Sequence, residues 1–349
     1  MNSNEVSVSH RLLDEILVAK VRIHGNVKDL RAIFAKLNGT VGDYANGNPI
    51  VIHHWGVSSE DGRHDMDVCL PITQAVEGTN LSILTLPAED AMVAVHRGPY
   101  AEIGSTYSKI SRYTYERGHP IAESTREVFH HLGEATPEET VVEIQVTLHD
   151  WINRFATKLE DVLGHDVKEK VFAPLSGLDI DTSAADRQKA LCVALGNLEN
   201  NSSADQQYEI LSHCAHVYPA ELIPPMRDLF RSTRDIDVVI KTMISKGGYY
   251  PKLLRREGSV IYSKKGPANP TLYEEAKTDA ERRKAYCFCP MIRRCLEEAP
   301  RIFCNCAAGW PKQLWEGILE RPLTIEIVQS LTNGDDECEF AIHLPEDIL

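Results

Sequence analysis

The strongest constraint on the fold is an internal repeat in the first 150 residues. Residues 16–24, ILVAKVRIH, are rich in β-branched side chains and read as a strand closed by Gly25. Residues 27–37, VKDLRAIFAKL, space their apolar positions near 3.6 and read as a helix ending at Gly39. A strand at 49–55, a polar turn at 58–64 and a strand at 66–72 complete the unit. The same order recurs over 91–148: strand, Gly98, helix, Gly118, strand, turn, strand. The period is about 75 residues, and two such β-α-β-β copies pair into a pseudo-two-fold domain with a cleft at their seam. The last strands align Met66-Asp67-Val68-Cys69-Leu70 with Val142-Glu143-Ile144-Gln145-Val146, so each copy carries a carboxylate, Asp67 or Glu143, at the same place.

Strand alternation puts Glu143, Gln145 and Thr147 on one face, opposite Val142, Ile144 and Val146. Trp55, Tyr100, Tyr107 and Phe129 are the notable aromatic residues of this half, and core packing accounts for each taken singly. Tyr100 and Tyr107 stand seven residues apart on one helix and share a face. Taken alone, the polar face of the Glu143 strand reads as solvent-facing.

Several dispersed segments of this half resemble the GyrI-like small-molecule-binding domain, also found as the effector domain of BmrR-type regulators. They are His96-Arg97-Gly98-Pro99-Tyr100, Glu102-Ile103-Gly104, Arg126-Glu127-Val128-Phe129, Thr136-Pro137-Glu138-Glu139 and Val142-Glu143-Ile144-Gln145, in the expected order. The resemblance implies a ligand pocket with Glu143 at its floor and Trp55, Tyr100, Tyr107 and Phe129 as walls, in which the carboxylate attracts cationic or polar amphipaths and the rings add cation–π contacts. It also implies alternatives. Some members resemble hydrolases of strained or electrophilic molecules, for which Glu143 is the general acid or base and Tyr100 a partner. Others are gyrase-inhibitory interaction modules that act on a protein partner. Regulators of the family carry a helix-turn-helix domain first. Here about 15 residues precede the first strand, so direct nucleic-acid binding is not expected.

Charge and cysteine content separate the two halves. Residues 1–150 hold 12 basic and 21 acidic residues and ten of the 14 histidines, while residues 151–349 hold eight of the nine cysteines. The net charge of −14 opposes binding to phosphate backbones. No apolar run reaches membrane-spanning length, and the N-terminus lacks a signal-peptide pattern, which points to a cytoplasmic protein with reduced thiols. The oligomeric state is open.

Residues 151–349 read as a second, α+β domain. Helical patterns run to about residue 247, with 199–204 and 219–225 as connections. A hairpin follows, turning at Glu257-Gly258. Residues 264–283 read as an exposed loop, a helix begins near Gly309, and a final hairpin turns at 332–336. Two Cys-x-Cys pairs, Cys287/Cys289 and Cys304/Cys306, offer four thiolates to zinc or another thiophilic metal, with Cys214 and His216 as alternatives. Buried thiols without metal are the competing reading. This half resembles bacterial and archaeal proteins related to aminothiazoline-carboxylate hydrolase and to 4-vinyl-reductase-type domains. The matching pieces are Tyr208-Glu209-Ile210-Leu211 leading to Cys214, the Cys-x-Cys-Pro, Phe303-Cys304-x-Cys306-x-x-Gly309-Trp310, and Gly334-Asp335-Asp336-x-Cys338-x-Phe340-x-Ile342. Relatives place Cys-Gly-x-x-Cys where this chain has Cys214-Ala215-His216. The expected molecule is therefore a GyrI-like ligand-binding, sensing or detoxifying module over 1–150, fused to a cysteine-rich domain over 151–349.

Overall fold

The computed structural model describes residues 6–58, 64–132 and 140–348. The chain falls into two compact units. One comprises Met1–Glu116 with Ile121–His149, the other Arg117–Pro120 with Asp150–Leu349. The architecture is mixed α+β.

The first unit runs β1 (Ser9–Leu13), β2 (Ile16–Gly25), α1 (Leu30–Val41), β3 (Ile50–Ser58), β4 (His64–Pro71), β5 (Ser82–Leu86), β6 (Glu89–Arg97), α2 (Ile103–Glu116), β7 (Ile121–His131) and β8 (Val141–Leu148). Its antiparallel sheet has the order β1-β6-β8-β7-β3-β4-β2-β5. The pseudo-two-fold lies between β7 and β3, where Val51 stands opposite Glu127 and His53 opposite Thr125. Outward from that centre the copies match strand for strand.

The two outermost strands amend the expected β-α-β-β unit. Each copy opens with an additional five-residue strand, β1 or β5. These strands are exchanged. β1 precedes β2 in the chain but pairs with β6, in the register Ser9 to Val93. β5 precedes β6 but pairs with β2, in the register Ile16 to Leu86. Only two residues separate β1 from β2, or β5 from β6. The exchange thus links the halves through the sheet itself.

One face of the sheet carries the helices. Met66, Val68, Met92, Val142, Ile144 and Val146 are almost wholly buried there. Each such side chain contributes about 1.5–3 kcal/mol on leaving water. Helix α2 presents Thr106, Ile110 and Thr114 at four-residue spacing as its buried stripe. Thr114 Oγ1 donates to Ile110 O at 2.7 Å, which removes the cost of burying its hydroxyl.

The second unit runs α3 (Trp151–Leu163), α4 (His165–Phe172), α5 (Ala184–Asn201), α6 (Ala204–His213), α7 (Ile223–Thr233), α8 (Ile236–Lys246), β9 (Leu253–Glu257), β10 (Val260–Lys264), α9 (Pro270–Glu275), α10 (Asp279–Tyr286), α11 (Asn305–Leu319), β11 (Ile325–Gln329) and β12 (Glu339–His343). The small sheet is antiparallel, in the order β11-β12-β10-β9. One core gathers Trp151, Phe155, Leu159, Leu195, Ile210 and Phe303. A second gathers Phe230, Val239, Ile261, Trp315, Phe340 and Ile342. Helix α11 crosses α6 at Gly309, where a Cβ would stand 2.0 Å from Ser212 O. Only glycine permits that approach.

Two expectations for this unit change. The segment 264–283 is not a loop but holds α9 and most of α10. Asn269 caps α9 with Pro270 at its first position, and Thr278 and Glu281 form a capping box on α10. Helix α11 starts at Asn305, earlier than Gly309, and continues through Pro311. No helix among the described residues is long and apolar enough to cross a membrane.

Candidate functional site: a buried carboxylate between two tyrosines

The turn after β6 sets up the site. Gly98 has φ 125°, a conformation that glycine adopts freely, and its N–H donates to Thr140 O at 3.0 Å. Pro99 then leads into a 3₁₀ turn at Tyr100–Glu102 that feeds α2. His96 fixes this turn. Its Nε2 lies 3.0 Å from Pro99 O and its Nδ1 3.0 Å from Thr106 Oγ1. A carbonyl only accepts, so Nε2 is the donor and the imidazole ties the end of β6 to the start of α2. The histidine, glycine and proline of the segment thereby aim Tyr100 at the sheet.

The tyrosines meet Glu127 on β7. Tyr100 Oη donates to Glu127 Oε2 at 2.7 Å, and Tyr107 Oη donates to Oε1 at 2.7 Å. Tyr107 Oη also lies 3.3 Å from Thr125 Oγ1. His53 Nε2 stands 3.2 Å from Oε2, an ion-pair distance off the line of a good hydrogen bond. The Phe129 ring lies two residues along the same strand. It stacks on Tyr100 at 6.0 Å and meets Phe34 of α1 at 5.3 Å. Thr125, Glu127 and Phe129 share one face by strand alternation.

Glu127 is only 2% exposed. Burial pushes its pKa up, but the His53 imidazole and then the two tyrosine hydroxyls outweigh burial and leave it below the ordinary carboxylate value. Burial first, and then the Glu127 charge, hold both tyrosine hydroxyls protonated far above their usual range. The site is thus a desolvated carboxylate held by two neutral phenol donors and flanked by the His53 imidazole, beside aromatic rings.

Glu143 occupies the other face. On β8 it stands opposite Val128, whereas Glu127 stands opposite Ile144. Its Oε1 accepts from Arg11 Nη1 and from Gln145 Nε2, both at 2.8 Å. Asp67, its match in the first copy, is likewise paired with cations: Lys20 at 3.0 Å and Arg22 at 3.4 Å. The structure therefore brings Tyr100, Tyr107 and Phe129 together around Glu127 and sets Glu143 in an ion pair. Trp55 belongs to β3, but its side chain lies outside the described residues, as does the segment Thr136-Pro137-Glu138-Glu139. Sequence reading passed over Glu127 and the role of His53. The signal was present, since Glu127 precedes the candidate Phe129 by two residues and so must share its face.

Cys287 and Cys289 follow α10, Cys304 and Cys306 open α11, and Cys214 closes α6. Thr332 Oγ1 donates to Cys304 Sγ at 3.1 Å, and Trp151 Nε1 donates to Cys306 Sγ at 3.4 Å. Cys214 Sγ donates to Ile210 O at 3.3 Å, and the His216 carbonyl accepts from Gln313 Nε2 at 2.9 Å. Burial pushes the Cys287 thiol up to about 12 and Cys306 to about 11, and raises Cys214, Cys289 and Cys338 as well. Among the described residues no three His, Cys, Asp or Glu side chains are arranged to hold a metal ion.

Residues 24–149 match the family model described as the GyrI-like small molecule binding domain. Residues 273–349 match a family of unknown function, DUF6144. No curated protein matches the chain. Among solved structures, the chain is similar to the EcmrR C-terminal domain at 17% identity, covering 41% of this chain and 97% of that one, with a TM-score of 0.36. It is similar to SAV2435 bound to tetraphenylphosphonium at 12% identity, covering 42% and 96%, with a TM-score of 0.31. A hydrolase from Listeria innocua gives 13% identity, 40% and 91% coverage, and a TM-score of 0.31. The family match assigns residues 24–149 to the GyrI-like small-molecule-binding domains.

Proposed function

We propose that the first unit binds a small, lipophilic aromatic cation at Glu127, and that the protein serves in sensing or sequestering such molecules. One observation carries the reading. Glu127 is an almost fully buried carboxylate held ionised; its two hydrogen-bond donors, Tyr100 and Tyr107, bring no positive charge, and the nearby His53 imidazole stands 3.2 Å away, off the hydrogen-bond line. An anion in that setting gains from an incoming cation, and the rings of Tyr100, Phe129 and Phe34 offer π-faces to its hydrophobic parts. The lowered pKa of Glu127 also favours binding over general-acid catalysis, because a carboxylate held ionised has no proton to give.

The test is calorimetric titration with tetraphenylphosphonium as probe, on the native chain and on Glu127→Gln and Glu143→Gln. Glu127→Gln is expected to abolish the heat of binding and Glu143→Gln to retain it. Unchanged affinity in Glu127→Gln, with its fold verified by circular dichroism, would overturn the assignment.

A further inference from the structure

The second unit contains a pair of cysteines that neither Cys-x-Cys motif includes. Cys192 lies on α5, and Cys295 lies in the run of turns between α10 and α11. Their sulfurs are 3.9 Å apart, and both residues are partly exposed. The approach is built into the packing. Gln188, one helical turn before Cys192 and on the same face of α5, donates from Nε2 to Pro290 O at 3.3 Å. The turn segment is anchored on either side of Cys295 by buried Ile292 and Leu296. Its backbone is closed by Cys295 N–H to Ile292 O at 2.9 Å and Ala299 N–H to Cys295 O at 2.8 Å.

We propose that Cys192 and Cys295 form a reactive dithiol whose substrates are oxidised low-molecular-weight thiols, that is, small disulfides. The Cys192 thiolate attacks one sulfur of the small disulfide, forming a mixed disulfide and releasing the first small thiolate. The Cys295 thiolate then attacks the Cys192 sulfur, forming the intramolecular disulfide and releasing the second. The two protons of the protein thiols end on the two released thiolates. The protein dithiol is oxidised and the small disulfide reduced. Closing the sulfurs from their present contact to a bond of about 2.05 Å takes a shift of roughly 2 Å, within reach of side-chain rotation.

The chemistry distinguishes the two sulfurs. The two thiols share one hydrogen bond for which either sulfur can be the donor; with Cys295 donating, the Cys192 pKa is lowered despite burial and the nearby Glu298, and that of Cys295 is raised. In that arrangement Cys192 is the attacking and Cys295 the resolving residue. The buried thiols Cys69, Cys214 and Cys287 are raised by desolvation and lack this activation. The inference is independent of the Glu127 reading.

The native chain is incubated with glutathione disulfide and analysed by intact mass and by non-reducing peptide mapping. The expected product has lost two hydrogens and links the peptides of Cys192 and Cys295. In Cys295→Ser, Cys192 is expected to keep one glutathionyl group. In Cys192→Ser, Cys295 is expected to stay unmodified while the fold is retained. A cross-link between other cysteines would overturn the proposal. So would a native chain that does not react while its denatured form does, or a glutathionylated Cys192 that Cys295 fails to resolve.

Discussion

Glu127 and Glu143 sit on neighbouring strands of one sheet and are 2% and 8% exposed, yet they are held by opposite means. Glu143 is neutralised by Arg11, whose side chain remains half in water. Glu127 is met by two phenol hydroxyls and a histidine edge. Burial alone therefore does not mark a functional acid. The residues supplied around it decide whether its charge is already spent within the protein or remains directed at something from outside.

The largest expected effect sharpens that contrast directly. Glu127→Gln keeps the shape but removes the charge, and is expected to cost about 2–5 kcal/mol of affinity for an aromatic cation. Glu143→Gln should leave affinity within a factor of about two, as side-by-side titration would show.

The next effect concerns the donors. Tyr107→Phe deletes one hydrogen bond to a buried charge and is expected to cost about 1.5–3 kcal/mol of stability in denaturant unfolding. Acid sensitivity should change with it. The folded-state pKa of Glu127 is depressed, so its contribution to stability is complete above the ordinary carboxylate value and is lost as pH falls through the depressed one. With fewer donors Glu127 titrates at higher pH, and the acid-dependent part of the stability shrinks. Melting temperatures measured from neutral pH down to about pH 3 follow both changes. Equal pH profiles for native and Tyr107→Phe would break the comparison.

The smallest effect belongs to the other face. Arg11→Met removes a half-exposed partner of Glu143, and about 1 kcal/mol of stability should go with it. Ligand affinity should not move. A loss of affinity would mean that the faces are coupled and that Glu143 is more than an ion-pair partner.

The strands and helices of the repeat were legible because β-branched runs, glycines and polar turns recur in one order. The alignment of Asp67 with Glu143 was also legible, and both residues are paired with cations. That alignment drew attention to the acid shared by both copies. Glu127 has Val51 opposite it across the central pair, so symmetry could not point to it. Its partners come from a 3₁₀ turn and a helix, which strand periodicity does not encode. Strands β1 and β5 escaped because five residues of SHRLL or SILTL give too few alternations to separate a strand from a linker. Helices α9 and α10 escaped because short exposed helices lack an apolar stripe, and their caps at Asn269 and Thr278 resemble turn residues.

The exchange of β1 and β5 has a consequence for any attempt to divide the first unit. Cut between β4 and β5, neither fragment retains the neighbour its own leading strand needs. The first keeps β1 without β6, and the second keeps β5 without β2. The single chain reproduces internally what a strand-swapped homodimer achieves with two. Co-expressed halves should complement one another, whereas either half alone carries an unsatisfied edge that a second molecule of the same half is shaped to fill.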